Sequence, residues 1–153
     1  MRLLAAVALT TAFALPAAAQ DGRELDNPRG TSVRPLMSVV DPIIRMVEER
    51  NMEIVRMEYD IVSSQKESFR TLSSDWEYLI AAAGDYRIAD LDLALYREVN
   101  GQWVEVASDL RPQKAATVTF RPPENGQYRV IVRATRFNEG FTVGRYALLF
   151  MHE

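Results

Sequence analysis

The residues of this sequence best placed to do chemistry are four aspartates, Asp85, Asp90, Asp92 and Asp109. The first three share one short segment between two apolar runs, and Asp109 follows the next run. Carboxylates are hard oxygen donors, and calcium collects such oxygens from carboxylates, carbonyls and water. This spacing could therefore hold Ca²⁺ if a hairpin brings Asp109 near. The same aspartates have a plainer use, because Asp forms turns by accepting hydrogen bonds from loop amides. Arg87 within the segment is an ion-pair partner for them and opposes a cation.

A second group is Arg129 and Arg133, which share one face of an alternating segment, with Trp103 at the exit of an expected hairpin. Guanidinium forks grip carboxylates, and an indole offers a stacking face. These three residues are the expected binding surface, suited to an anionic glycan or a partner protein. Charges on a sheet face also keep it wet and discourage edge pairing. Trp76, Tyr78 and Tyr96 could widen the aromatic platform, although most aromatics of a sandwich this size lie in the core.

Several chemistries are missing. The sequence has no Cys, which excludes thiolate catalysis, Cys-ligated zinc and disulfides. Its one histidine, His152, stands next to the last residue, a poor place for an oriented general base. No catalytic residue is assigned, and no cofactor other than the calcium considered above. A non-catalytic binding module is the leading expectation. A hydrolase using carboxylates gathered from loops and a structural envelope protein are the alternatives. With 18 Lys+Arg against 21 Asp+Glu, the formal charge of −3 leaves no footprint for nucleic acid.

The elements that would position these residues begin after a leader. Arg2, the apolar run from Leu3 to Leu15, the break at Pro16 and Ala17-Ala18-Ala19 form a signal peptide over 1–19. The apolar run is shorter than a membrane span needs. The protein is accordingly expected to be periplasmic or secreted, with no transmembrane span after cleavage. Residues 20–36 carry charges, Pro and Gly without apolar period and read as a flexible lead. A single domain over 37–153 follows.

Asp41-Pro42 gives a helix start, an N-cap acceptor followed by proline at the first helical position. Val40, Ile43, Ile44 and Val47 form one stripe, and Asn51 can close the helix over 41–51 in a left-handed conformation. From residue 52 the period becomes two. Val55, Met57, Tyr59 and Ile61 are expected to look into a core, with Arg56, Glu58 and Asp60 outside. Further strands are expected at 68–72, 76–83, 92–98, 103–108, 116–120, 127–135 and 144–151. Asn100-Gly101 marks a tight hairpin, and Asn125-Gly126 after two prolines a turn with positive φ. Seven to eight short strands with one short N-terminal helix predict a mostly β protein, an antiparallel β-sandwich.

The stretch from Tyr78-Leu79-Ile80-Ala81 through Gly84-Asp85 and Asp90-Leu91-Asp92-Leu93 to Leu95-Tyr96 carries a family likeness. Asn100-Gly101, Ser108-Asp109, Gly126-Gln127-Tyr128 and the closing Gly144-Arg145-Tyr146-Ala147-Leu148 continue it in order. Together they resemble the bacterial pre-peptidase C-terminal domain and its small secreted relatives. The resemblance implies a jelly-roll-like sandwich used as a non-catalytic accessory or binding module, with calcium in some members. The sequence departs from that pattern in lacking cysteines beside the acidic segment and in carrying Arg87 and Ile88 there.

Overall fold

The computed structural model describes residues 33–153, so the expected signal peptide and most of the expected lead lie outside the described residues. One helix, α1 (Arg34–Glu49), precedes eight strands. These are β1 (Glu53–Val62), β2 (Gln65–Leu72), β3 (Tyr78–Gly84), β4 (Ile88–Val99), β5 (Gln102–Asp109), β6 (Ala115–Phe120), β7 (Gly126–Phe137) and β8 (Gly144–His152).

The strands form two antiparallel four-stranded sheets, ordered β1-β8-β3-β6 and β2-β7-β4-β5. That order follows from a single folded ribbon. Asn100 and Gly101 both adopt positive φ, 52° and 78°, and close the β4–β5 hairpin. Moving outward from this tip, β3 meets β6, β2 meets β7 and β1 meets β8, with successive pairs falling in alternate sheets. A two-stranded ribbon wound in this way is a jelly roll. The fold is therefore an antiparallel jelly-roll β-sandwich.

Alternation fills the space between the sheets. Leu91, Leu93 and Leu95 of β4, Tyr128, Val130 and Val132 of β7, and Tyr146, Leu148 and Phe150 of β8 are all buried there. Ile88 seals one end of this core against two glycines. A Cβ added at Gly84 or Gly144 would collide with the Ile88 side chain, so the close approach needs glycine at both positions.

A second apolar layer lies on the other face of the first sheet. Leu36, Val40 and Val47 of α1 pack on Ala81, Ala147, Leu149 and Met151. This burial explains why the helix starts at Arg34 rather than at the expected Asp41. Leu36 and Met37 extend the apolar stripe upstream, and Leu36 is 1% exposed. Pro42 consequently sits inside the helix. An interior proline costs about 3 kcal/mol in a helix through its lost hydrogen bond and ring clash. Packing against the sheet outweighs that cost. Residues 34–36 thus belong to the helix and not to a lead. Asn51 does take a left-handed φ of 54° just beyond it.

Strand β1 runs opposite to expectation. The ladder pairs Arg56 with Phe150, Glu58 with Leu148 and Asp60 with Tyr146, so its charged residues share the inward face. Tyr59 and Ile61 look to the helix side and stay largely exposed, the Tyr59 hydroxyl reaching Met37 Sδ of α1 at 3.7 Å. The reason is across the sandwich. Lys66 of β2 pairs with Asp60 at 2.9 Å, Arg70 pairs with Glu58, and the Ser68 hydroxyl donates to Glu58 Oε2 at 3.1 Å. Polar side chains knit the two sheets at this edge, and inward charge on an edge strand also opposes intermolecular pairing. Asn125 and Gly126 take no positive φ. Asn125 instead uses its side-chain oxygen to accept the Ser74 N–H at 2.7 Å, fixing two turns together.

Candidate binding face

Among the described residues, no helix lies over the outer face of the second sheet. Strand register places Phe69 (β2), Arg129 (β7), Tyr96 (β4) and Glu105 (β5) side by side across all four strands. Trp103, near the hairpin tip, leans across this row to Phe69, with ring centroids 5.7 Å apart and planes 60° apart. The Arg129 guanidinium lies 5.0 Å from the Tyr96 ring centroid and 5.1 Å from that of Trp103. Cation–π contacts of this kind hold a guanidinium in place at low cost in side-chain order.

Glu67 approaches Arg129 at 3.9 Å, and the Tyr96 hydroxyl donates to Glu105 Oε2 at 3.1 Å. Burial, then Glu105, pushes the Tyr96 hydroxyl above its ordinary pKa, so it stays a donor at neutral pH. Beneath the row, Ala94 and buried Ile131 pair in register and give the face an apolar floor. The arrangement offers aromatic edges, a fixed guanidinium and two carboxylates to anything that docks flat.

Of the expected binding residues, Trp103 and Arg129 are brought into contact. Arg133 lies further along the same face of β7, opposite Asp92. The wider aromatic platform is divided. Tyr96 joins Trp103, Tyr78 is in the core at 7% exposure, and Trp76 stands elsewhere, stacked on His152. Phe69 and Glu105 were missed from sequence. Only the register brings them beside Arg129, and register is not written in composition.

The structure does not draw the four aspartates considered for calcium into one group. Among the described residues, no three acidic, His or Cys groups gather as metal ligands. Three of the four carboxylates have other employment. Asp85, 1% exposed, pairs with Arg87 at 3.4 Å and accepts its backbone N–H at 3.0 Å. Asp90 accepts the Gln113 N–H at 3.0 Å. Asp109 takes the Arg111 fork at 2.8 and 2.7 Å and the Thr117 N–H at 2.9 Å. The Arg111 guanidinium holds the Asp109 carboxyl far below the usual carboxylate range.

Asp92 alone is pushed upward, first by burial and then by Asp90, with Arg133 opposing. A raised carboxyl is a familiar mark of acid–base sites. Here its neighbours are committed, Asp90 to a loop amide and Asp109 to Arg111. The turn-forming reading accounts for Asp85, Asp90 and Asp109.

These features define an eight-stranded jelly roll in which, among the described residues, one sheet face is roofed by a helix and the other is bare and aromatic. The sequence matches no family model, and no curated protein matches it. Among solved structures it is similar to the pre-peptidase C-terminal domain of a collagenase from Bacillus anthracis. Identity is 16% over 61% of this chain and 85% of that one, with a TM-score of 0.47. It is also similar to the Yersinia pseudotuberculosis-derived mitogen, at 12% identity over 64% and 85%, with a TM-score of 0.42. The jelly-roll assignment rests on strand order and register.

Proposed function

We propose that this protein is an exported, non-catalytic binding module whose ligand docks on the bare face of the β2-β7-β4-β5 sheet. The ligand class the face fits is a glycan bearing carboxylates. Sugar rings stack on Trp103 and Phe69, while Arg129 and Arg133 take the acid groups. The single observation that carries this reading is the Phe69–Trp103–Arg129–Tyr96 cluster standing on a sheet face that no described element covers. Export rests on the leader pattern over 1–19. No helix among the described residues is long and apolar enough to cross a membrane.

The test is an oligosaccharide array carrying uronate-containing and neutral chains, probed with the wild type, Trp103→Ala and Arg129→Gln. Retention on uronate chains that both substitutions abolish supports the proposal. Retention untouched by either substitution, or none on any chain, sinks it.

A further inference from the structure

A cleft of about 390 Å³ opens at one edge of the sandwich, on the side of β2 opposite the aromatic face. That volume lies within the range of small-molecule sites. Its polar wall is Arg56 of β1 and Arg70 of β2. Its apolar wall is Phe150 with the Trp76 indole, on which the His152 imidazole stacks at 4.2 Å with planes 22° apart. None of the residues lining it is acidic.

Both guanidiniums lean on one carboxylate outside that lining. Arg56 Nε donates to Glu58 Oε1 at 2.7 Å, and Arg70 pairs with the same oxygen. Two cations sharing one anion leave a positive charge unmatched at the cleft wall. Arg70 is also held 5.6 Å above the Phe150 ring, and its Nε is buried with no hydrogen-bond partner. Burial, then Arg56, lowers the Arg70 pKa from its ordinary value. A buried donor without an acceptor is costly, and a carboxylate is the acceptor whose geometry matches a guanidinium fork. The far wall is braced in advance, because Asn125 pins the Ser73–Ser74 turn through hydrogen bonds of 3.2, 2.7 and 3.0 Å.

We propose that this cleft binds a small aromatic carboxylate, with its carboxyl group on Arg56 and Arg70 and its ring against the Trp76–His152 stack. The same chemistry can come from a free aromatic acid or from the C-terminal carboxylate of a peptide ending in an aromatic residue. The site lies apart from the Trp103 face, so it stands or falls independently of the glycan reading.

The experiment follows Trp76 fluorescence in a Trp103→Phe background, which leaves one indole in the chain. Benzoate, its neutral isostere benzamide and a tetrapeptide ending in Phe are titrated separately. Saturable change with benzoate or the peptide, with benzamide at least about tenfold weaker, is the expected result, since a charge-assisted hydrogen bond is at stake. The tighter of the two binders names the source. Arg56→Gln and Arg70→Gln should each weaken binding by a similar factor while the far-UV circular dichroism is retained. Should Arg70→Gln fail to fold, the exposed Arg56→Gln decides alone. Absence of saturable binding by both acids, equal binding of benzamide, or undiminished binding by a folded Arg56→Gln protein would overturn the proposal.

Discussion

The two sheets of this jelly roll share an architecture and differ in what their outer faces carry. On the β1-β8-β3-β6 sheet the outer residues include Ala81, Ala147, Leu149 and Met151, and α1 lies over these four. On the β2-β7-β4-β5 sheet they include Phe69, Tyr96, Arg129 and Arg133, and no helix among the described residues covers them. The difference is one of partner. Small and aliphatic side chains gain only from being removed from water, so they need a roof. Arginines and aromatics with polar edges tolerate water and retain directional bonding, so a face built from them can stand exposed.

The largest effect is expected under the roof. Leu149→Ala, at a residue with 0% exposure, should cost about 2–5 kcal/mol in chemical denaturation, the range for deleting a buried leucine side chain. Gly144→Ala should also destabilise, by about 1–3 kcal/mol, because its Cβ would collide with Ile88. A Leu149→Ala protein as stable as wild type would break the comparison, since α1 would then be ornamental.

Asp109 ranks next. Asp109→Asn should cost about 1–3 kcal/mol at neutral pH by weakening the charge-assisted bonds from Arg111 and the Thr117 amide. Its folded pKa is depressed, chiefly by Arg111, so its contribution is complete above the unfolded value of about 3.9 and falls away as pH drops below it. Denaturation midpoints measured from pH 7 to pH 3 should therefore decline more steeply for wild type than for Asp109→Asn. Parallel curves would remove Asp109 from the account.

On the open face the stability effect shrinks. Trp103→Ala loses one tilted aromatic pair and one cation–π contact, together about 1–2 kcal/mol, while abolishing uronate retention on the array. The smallest effect is a null one. Millimolar calcium should leave the melting temperature unchanged, because Asp85, Asp90 and Asp109 already satisfy protein donors. A ligand bound only by the folded state must raise the melting temperature. A reproducible rise abolished by EDTA would contradict this assignment of the aspartates.

The sequence made some of this legible. Period-two alternation in Tyr128–Ala134 reports the inner core directly, and Asn100-Gly101 marks the ribbon tip. The unbroken apolar run Ala147–Met151 also carried a message that alternation hides: a strand apolar on both faces is covered on both. That run points to a helix on the sheet face rather than at an open end. Strand β1 misled because period two reports that faces differ, not which face is inside. Its charged side turned inward to meet Lys66, Ser68 and Arg70, partners across the sandwich that no local window contains. The helix start misled for a related reason, since a proline signal of local origin yielded to burial of Leu36 against the sheet. The cleft went unseen because Arg56, Arg70, Trp76 and His152 come from four separate segments.

The central claim, that ligand meets the bare sheet and not the roofed one, is tested most directly by amide shift mapping with oligogalacturonate. The account predicts that perturbed amides cluster at Phe69, Tyr96, Trp103, Arg129 and Arg133, with α1 and Leu149 silent. Perturbations centred on α1, or none at millimolar oligogalacturonate, would contradict it.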